Sequence, residues 1–484
     1  MMTNVKQTLA ERRQTPSHHE EGEGRPLAQA EQLGSAAFRQ DYGVKYAYST
    51  GSMYQGIASR KLVVAMARAN MMSFFGSGGL SLPLLQEAII GIQADLNGES
   101  FGMNMLADYD FPEKEMRRIE LFLAHDIRFI EAAAYIAITP ALVLYRLRGI
   151  HLGEDRHIVI PHTLMAKVSR PEVAEVFANP APPDLVAQLY AQGLLTQQEA
   201  ELAPQVPMAQ DICVESDSAG HTDQGNAYVL FPAIARLCRD ISARQHYRKP
   251  LRVGAAGGIG TPEAVMAAFM LGADFIVTGS VNQCSVEAAT SDEVKDMLQH
   301  INIQDTDYAP AGDMFEQGAK VQVLKRGVFF PTRANKLYQL YQQYSSLDEL
   351  PQAVKNQLED KYFKRPLSAV WEDVKQYYQT HRPEMLEKIE GQPRRKMAAV
   401  FRWYFAYSSR LALSGDRENK VDYQVHCGPA LGAFNQWVKG SAYENWRNRH
   451  VDEIGEMLMR EAASMLSEKL GLLKGRALSS YSYS

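Results

Sequence analysis

Residues 251–280, LRVGAAGGIGTPEAVMAAFMLGADFIVTGS, hold two short apolar runs that each end in a glycine turn. The first run enters the turn at 257–260, and a Thr-Pro-Glu sequence then opens an apolar, alanine-rich helix. The second run, 274–278, ends at Gly279-Ser280. Backbone N–H groups at such turns, beside helix N-termini, suit a phosphate dianion. Two consecutive turns of this kind match the phosphate site that barrels of eight βα units build after strands seven and eight.

A dinucleotide-binding fold also places glycine-rich turns between a strand and a helix. That fold needs an acidic residue at the end of the next strand to bond a ribose. Here Asp274 precedes the second run, which ends in Thr-Gly-Ser instead. The spacing therefore favours the phosphate site of a barrel. A third interpretation, in which the glycines only form tight turns, is left open by the turn pattern alone.

Composition narrows the function classes. The net charge of -5 gives no basic field, so we expect no nucleic acid as the main partner. No run of about eighteen apolar residues occurs, and the first residues lack the apolar core of a signal peptide. These features predict a cytoplasmic protein without a membrane partner. The cysteines lie far apart with no CxxC pair, so we expect reduced thiols and no metal site: Cys213, Cys238, Cys284 and Cys427.

From residue 46 onwards, β-like and helix-like runs alternate regularly. Alternating elements predict a parallel sheet, and a count of eight β-like runs predicts closure into an α/β TIM (β/α)8 barrel. The β-like runs are 46–51, 71–76, 101–106, 127–132, a strand within 157–167, 210–216, 251–255 and 274–278.

Residue composition and the spacing of apolar residues along the chain also predict its domains. Residues 1–36 are rich in Gln, Glu, Arg and Gly and predict a disordered tail, and 37–290 form the barrel. Residues 291–425 show no strand rhythm, and their aromatic residues recur at helical spacing, so we expect a helical subdomain with an aromatic core. Residues 426–472 are expected to pack back on the barrel, and 473–484 to form a flexible tail.

Eight short motifs, in this order, carry a resemblance that runs from about residue 46 to 470. The chain resembles the stand-alone, trans-acting enoyl reductases of polyketide and polyunsaturated fatty acid synthases, which are relatives of nitronate monooxygenases and of flavin-dependent enoyl-acyl-carrier-protein reductases. The motifs are GSMYQGIAS (51–59), FFGSGGL (74–80), FGMNML (101–106), AKVSRPEVAEVF (166–177), ESDSAGHTD (215–223), VGAAGGIGTPEA (253–264), GADFIVTGS (272–280) and CGPALGAF (427–434).

The resemblance implies FMN at the C-terminal face of the barrel, NADPH as reductant, and an α,β-unsaturated thioester on an acyl carrier protein as substrate. It leaves a homodimer open. The turn after strand one would lie against the flavin ring, and the glycine turns would hold the phosphate. Asn104 would bond the flavin, although an Asn that caps the following turn is an alternative. The expected cofactor-binding residues are Gly51, Ser52, Met53, Asn104, Lys167, Ala219, Gly220, Gly257, Gly258, Gly279 and Ser280.

His221 is the expected catalytic residue. It follows the sixth strand in Ser-Ala-Gly-His, and an imidazole that titrates near neutral pH suits proton delivery to the substrate's α-carbon. The sequence leaves open whether His221 donates the proton or positions the thioester carbonyl. Asp217 could orient His221, and His162 is a weaker candidate acid.

Two alternative functions and one candidate surface follow from the same motifs and charges. Nitronate monooxygenases share the Ala-Gly-His element, so a flavin oxidase is an alternative function, as is a catalytically silent flavin-binding component of a synthase. A carrier protein is acidic around its phosphopantetheine, so a basic surface near the site is expected to steer it. Residues 394–396, Arg-Arg-Lys, are the candidates, with Lys325 and Arg326 upstream.

Overall fold

A closed barrel of eight parallel strands forms the centre of the computed structural model, which describes residues 27–109 and 111–480. The strands follow one another around the barrel in chain order, and the last pairs with the first, so that Tyr48 lies opposite Ile276. The predicted TIM barrel is confirmed. The strands are β1 (Tyr48–Thr50), β2 (Met72–Phe75), β3 (Gly102–Leu106), β4 (Phe129–Ala133), β5 (Thr163–Val168), β6 (Asp211–Glu215), β7 (Arg252–Ala256) and β8 (Ile276–Thr278).

Helices alternate with these strands, and local sequence decides where several of them begin. Ser59, Thr139 and Thr261 each accept a hydrogen bond from the backbone N–H three residues on, which caps the helices that start at residues 60, 140 and 262. Proline stands in the first turn of the last two, where its missing N–H costs no helix bond. The helices are α1 (Ala36–Tyr42), α2 (Arg60–Arg68), α3 (Leu82–Asp95), α4 (Pro112–Ala124), α5 (Pro140–Leu147), α6 (Pro171–Ala178), α7 (Pro183–Ala191), α8 (Gln197–Leu202), α9 (Ala227–Arg244), α10 (Pro262–Met270) and α11 (Ser280–Gln283).

Helix α1 closes the N-terminal end of the barrel with aromatic rings. Phe38 stacks on Phe275 with ring centroids 4.6 Å apart, and Tyr42 stacks on Phe129 at 4.7 Å. These rings belong to the core that fills the inside of the strands. The N-terminal end is therefore packed with side chains, and the turns that carry the expected site lie at the opposite end.

Residues 27–36 are held by contacts with the barrel and with the C-terminal helix. Ser35 N donates to Asp274 O at 2.7 Å, Ala28 N donates to Ser467 Oγ at 2.9 Å, and Leu33 is buried. The prediction of a disordered tail is therefore wrong for residues 27–36, because this segment buries apolar surface and pairs its backbone groups. Residues 1–26 lie outside the described residues.

The insertion that follows the barrel builds a second hydrophobic core. Phe315 lies at its centre, with its ring centroid 5.5 Å from those of Tyr338 and Phe405. The aromatic residues at helical spacing thus pack into this core. Its helices are α13 (Phe330–Gln343), α14 (Gln352–Gln357), a π-helical segment (Leu358–Phe363), α15 (Leu367–His381), α16 (Pro383–Glu390) and α17 (Pro393–Ser414), and α12 (Asp292–Leu298) packs on the barrel core.

The insertion also contains a β-hairpin, which the sequence analysis missed. Strands Thr306–Pro310 and Lys320–Leu324 pair in antiparallel fashion, and the second also pairs with the short strand His221–Thr222 from the barrel. The prediction of a helical subdomain without strands over 291–425 is therefore wrong for this hairpin. Its strands have five residues each, and the second strand pairs with a segment about 100 residues earlier in the chain, which local pattern does not indicate.

The C-terminal segment returns to the barrel through α18 (Pro429–Trp437) and α19 (Val451–Ser480). Val451, Ile454 and Leu458 of α19 are fully buried in the main core. Helix α19 continues to Ser480, past the domain boundary predicted at residue 472. Residues 481–484 lie outside the described part of the chain.

Several short elements connect the helices and strands. A ribbon pairs His151–Leu152 with Ile158–Val159. Single 3-10 turns are Ala30–Gln32, Ala203–Gln205, Ile303–Asp305, Lys420–Asp422, Ala442–Glu444 and Trp446–Asn448. Over residues 27–109 and 111–480, no helix is both long and apolar enough to cross a membrane.

A buried ion pair joins β6 to β7 near the N-terminal end of the barrel. Asp211 is fully buried and accepts from Arg252 Nε at 2.5 Å and Nη2 at 2.9 Å, and from Tyr42 OH at 2.9 Å.

We predict that Asp211→Ala lowers the free energy of unfolding by about 3 kcal/mol, because it leaves a buried guanidinium with fewer partners. Urea unfolding followed by circular dichroism measures this. The matched control, Asp155→Ala on the exposed ribbon, should leave the midpoint unchanged, and equal midpoints for the two variants would contradict the prediction.

Candidate functional site

The C-terminal ends of the barrel strands open into one cleft of about 1900 Å³. Barrel turns form one wall, and the hairpin with helices α15 and α17 of the insertion forms the other. All twelve residues expected for catalysis and cofactor binding border this cleft. A smaller cavity of about 270 Å³ at the opposite end of the barrel, near Ser100 and Arg128, borders none of them.

The glycine turns after β7 and β8 differ in the space around each glycine. A methyl group added at Gly258 or Gly279 would meet no other described heavy atom within 4 Å. One added at Gly257 would lie 2.6 Å from Ser216 O, and one at Gly260 would lie 2.2 Å from Ala430 O. Gly257 and Gly260 therefore permit close packing, whereas Gly258 and Gly279 border open space. This open cradle at two strand ends fits a phosphate group.

The C-terminal segment reaches the same cradle. Gly428, at the start of α18, donates its N–H to Ser280 Oγ at 2.9 Å. A methyl group added there would lie 2.8 Å from Gln322 Oε1 and 3.7 Å from Ala219 N. The CGPALGAF motif therefore belongs to the site: its glycine lets α18 approach both the turn after β8 and the loop after β6.

The turn after β1 is fastened to Glu131 of β4. Ser52 donates to the Glu131 carboxylate from its hydroxyl and, at 3.1 Å, from its N–H to Oε2. Asn104 Nδ2 donates to Glu131 O at 3.2 Å and lies 3.4 Å from Oε2. Glu131 has no exposed surface, and its Oε1 has no hydrogen-bond partner among the described residues. A buried carboxylate oxygen left without a donor suits the N–H of a bound ring.

Lys167, at the end of β5, stands between two carboxylates. Its Nζ lies 3.1 Å from Glu215 Oε1 and 3.8 Å from Glu131 Oε1. Burial disfavours the ammonium, but Glu215 and then Glu131 outweigh it and raise the pKa of Lys167 above its usual value. Lys167 is therefore a fixed positive charge at the mouth of the barrel. The sequence offered one signal for Glu131: an acidic residue inside the apolar run FIEAA.

His221 lies on the short strand that pairs with the hairpin of the insertion. Its Nε2 is 2.9 Å from Asp313 Oδ1, and 38% of its side chain is exposed. The hydrogen bond to Asp313 raises the pKa of His221 above its usual value, against the opposing effect of burial. His221 thus remains in its imidazolium form up to a higher pH than a free imidazole does.

Among the described residues, Asp217 makes no hydrogen bond to His221, whose Nε2 is bonded to Asp313 instead, so the hypothesis that Asp217 orients this histidine is wrong. It accepts from Thr222 Oγ1 and from Gln322 Nε2, each at 2.7 Å, and from the Tyr308 hydroxyl. Asp217 therefore ties the loop after β6 to the hairpin. His221 is bonded instead to Asp313, which lies 92 residues further along the chain.

His162 lies outside the cleft, so its candidacy as an acid is wrong. It is buried just before β5, at the N-terminal end of the barrel, and its Nδ1 lies 2.9 Å from Arg148 O. Burial lowers the pKa of His162. These contacts make it part of the packing between β5 and α5, where its ring lies 5.0 Å from that of Tyr145.

His426 is a further histidine of the cleft that the sequence analysis missed. Its ring stacks on that of Tyr54, with centroids 5.9 Å apart, and its Nε2 lies 2.7 Å from Gln424 Nε2. Burial, and next the charge of His221, lower the pKa of His426 to about 4. Its position directly before the CGPALGAF motif was a usable signal, whereas nothing in the sequence around Asp313 marked that residue.

Within residues 27–109 and 111–480, no cluster of His, Cys, Asp and Glu could hold a metal ion.

Comparison with known proteins gives one family model and several relatives. Residues 344–423 match the model of the inserted helical domain of [acyl-carrier-protein] S-malonyltransferase. The polyketide biosynthesis protein PksE of Bacillus subtilis is 56% identical over 442 residues, which are 91% of this chain and 57% of PksE. One component of the polyunsaturated fatty acid synthase of a Thraustochytrium species is 42% identical over 413 residues, which are 84% of this chain and 28% of that component. The chain thus spans less than two thirds of the length of these curated relatives.

One solved structure matches at nearly full length. The enoyl reductase domain of MlnA, from the macrolactin biosynthesis cluster of Bacillus amyloliquefaciens, is 42% identical and superposes with a TM-score of 0.89. The match covers 91% of this chain and 99% of that domain. Both the barrel and the insertion therefore belong to a fold that a known domain shares.

The open space beside Gly279 leads to a direct test of the phosphate cradle. We predict that Gly279→Asp weakens FMN binding roughly 100-fold or more, because a carboxylate would face the phosphate at close range. Gly279→Asn is the matched control, since it adds the same volume without the charge. Equilibrium dialysis with FMN measures both affinities. Equal affinity in the Asp and Asn variants would contradict the assignment.

Proposed function

The chain belongs to the family of enoyl reductases of polyketide and polyunsaturated fatty acid synthases, and from this premise we propose that it reduces the α,β-double bond of enoyl thioesters carried by an acyl carrier protein. FMN is the proposed cofactor and NADPH the proposed reductant. One observation carries the proposal: two open glycine turns at strand ends and a histidine bonded to a carboxylate border the same cleft at the C-terminal end of a (β/α)8 barrel. Fold alone would not support it, because barrels of this kind serve many reactions.

The described residues fit FMN at this cleft. The N–H groups beside Gly258 and Gly279 would hold the phosphate, while the peptides of 51–53 and the amide of Asn104 would hold the ring edge. The free oxygen of Glu131 and the ammonium of Lys167 offer an acceptor and a donor side by side, which complements a ring that bears both N–H and C=O groups. Bound there, FMN supplies two-electron chemistry between a nicotinamide and the β-carbon of the enoyl group.

His221 is proposed as the proton donor. Protonated through its bond to Asp313, it would give one proton to the α-carbon, which, together with hydride at the β-carbon, completes the saturated thioester. The partly exposed imidazole can then regain a proton from solvent. The cleft walls, built from both the barrel and the insertion, would limit water around the reacting carbons.

Two half-reactions test this function separately. The purified protein is expected to carry a flavin spectrum, to bleach anaerobically with NADPH, and to recover its colour when a crotonyl thioester is added. Parallel runs with NADH decide between the two reductants. A protein that binds no flavin, or one whose flavin is reduced by a nitronate and reoxidised by oxygen while its NADPH-bleached form does not recover with the thioester, would overturn the proposal.

We predict that His221→Ala keeps FMN and is still bleached by NADPH, but reduces the enoyl thioester roughly 10²–10⁴-fold more slowly, as expected when a positioned proton donor is lost. Stopped-flow spectroscopy of each half-reaction measures the two steps. His157→Ala, on the exposed ribbon outside the cleft, is the control and should match the wild type. Unchanged recovery with the thioester would remove His221 from the mechanism.

The insertion is the proposed contact for the carrier protein. Its match to a helical domain of an enzyme named for acyl carrier protein supports this assignment. Arg394 and Arg395 are exposed in the first turn of α17, and the same helix lines the cleft further along, at Arg402 and Arg410. A basic approach to the cleft would steer an acidic carrier.

Reversing charge at both Arg394 and Arg395 to Glu should raise the apparent KM for carrier-bound enoyl substrate and weaken its salt dependence, because steering acts through these charges. A small soluble enoyl thioester should be unaffected. The matched control reverses Arg248 and Lys249, which are exposed just before β7 at the other end of the barrel. Equal responses to carrier-bound and small substrates would show that this surface does not dock the carrier.

A further inference from the structure

Resting on the proposed function, we propose that Asp313 is a positioning residue that holds His221 as a protonated acid with Nδ1 free to face substrate, so that barrel and insertion build the proton donor together. The barrel contributes the histidine, and the loop of the hairpin contributes the carboxylate. Without the insertion, His221 would lack the partner that sets its charge and its orientation.

The hairpin places Asp313 with little freedom. Its two strands pair from Thr306 opposite Leu324 to Pro310 opposite Lys320, and Ala311 N donates to Ala319 O at 2.7 Å where the connecting loop begins. Two residues after Asp313, the ring of Phe315 is fully buried in the second core. The loop is thus anchored on both sides of the carboxylate.

His221 is held to the same hairpin by its backbone. In the antiparallel pairing, His221 lies opposite Val321, and Thr222 lies opposite Lys320. The histidine and its carboxylate are therefore attached to one small sheet, and the 2.9 Å bond from Nε2 to Asp313 Oδ1 joins two neighbouring parts of it. A barrel loop alone would leave the imidazole free to rotate.

The charged groups around His221 and Asp313 favour the imidazolium form of His221. Asp313 from the hairpin and Glu215 from the end of β6 both stabilise the imidazolium. His426 approaches from the C-terminal side, and burial together with the neighbouring His221 lowers its pKa to about 4. Of these two histidines, only His221 has a raised pKa, and the hydrogen bond from His221 helps keep Asp313 ionised against its burial.

The geometry also decides which nitrogen delivers the proton. Nε2–H stays bonded to Asp313, and no described residue bonds Nδ1. In the proposed step, the Nδ1–H bond breaks and a C–H bond forms at the α-carbon, while the hydride at the β-carbon comes from NADPH through the cofactor. The electron pair of the broken bond remains on Nδ1, so the imidazole ends neutral and still oriented by Asp313.

The test follows His221 directly in the FMN-loaded protein by NMR of 13C-labelled histidine, with the His221 signal assigned by its absence in His221→Gln. In Asp313→Asn the titration midpoint of His221 should fall by about one pH unit, because the amide cannot balance the imidazolium charge. Asp307→Asn changes an exposed acid of the same hairpin and should leave the midpoint unchanged. A His221 midpoint equal to that of the wild type in Asp313→Asn would overturn the proposal.

Kinetics separate positioning from a structural effect. The upper limb of the pH profile for enoyl reduction should move to lower pH by the same amount as the NMR midpoint, while bleaching by NADPH keeps its rate. In the His221→Ala background, Asp313→Asn should have no further effect. In the protein that keeps His221, Asp313→Glu should give a His221 midpoint between those of Asp313→Asn and the wild type. An equal rate loss with and without His221 would contradict the positioning role. A wild-type protein that bleaches but never reduces enoyl thioesters would instead defeat the proposed function, and the NMR midpoint would still decide the pairing of His221 with Asp313.

Discussion

Parallel pairing of β8 with β1 is the constraint on which the rest of the structure depends. Because every strand of the barrel runs in the same direction, its closure brings the eight C-terminal ends to one mouth. Gly51 continues this seam by donating its N–H to Thr278 O at 2.8 Å. The seam thus sets the turn after β1 beside the glycine turn after β8. Segments that are more than 200 residues apart become two sides of one pocket.

The mouth of the barrel alone would be an incomplete site. The insertion has its own aromatic core, yet its hairpin joins the barrel through the strand that carries His221. Asp217 reinforces that junction by accepting from Gln322 and from the Tyr308 hydroxyl. The core of the insertion therefore fixes the wall of the cleft that the insertion forms relative to the wall that the barrel turns form. This arrangement explains how the charge of one histidine on the barrel can depend on a carboxylate from the insertion.

Local pattern predicted the barrel well, for a physical reason. Each βα unit repeats an apolar strand, a turn and a capped helix, so its signal lies within about thirty residues. The glycines after β7 also carry a local signal, because close backbone packing at Gly257 and Gly260 leaves no room for a side chain. Features that are determined within one segment of the chain, such as the βα units and the glycine turns, could thus be predicted from the sequence of that segment.

Contacts between distant segments were harder to predict. Asp217 lies near His221 in sequence and was the expected partner, but the side chain that reaches the histidine is Asp313. The hairpin that carries Asp313 has short strands whose pairing is settled by tertiary contacts rather than by periodicity. Residues 27–36 were misread for a related reason: their polar composition hides a few apolar groups, such as Leu33, that find partners on the folded barrel.

A crystal structure of the FMN-loaded protein with an enoyl thioester would test the central claim most directly, namely that cofactor, substrate and acid meet in one cleft built by barrel and insertion. The account predicts the phosphate against the backbone of Gly258 and Gly279, the ring beside 51–53 and Asn104, and His221 facing the α-carbon while bonded to Asp313. A phosphate bound elsewhere, or an α-carbon out of reach of His221, would contradict it.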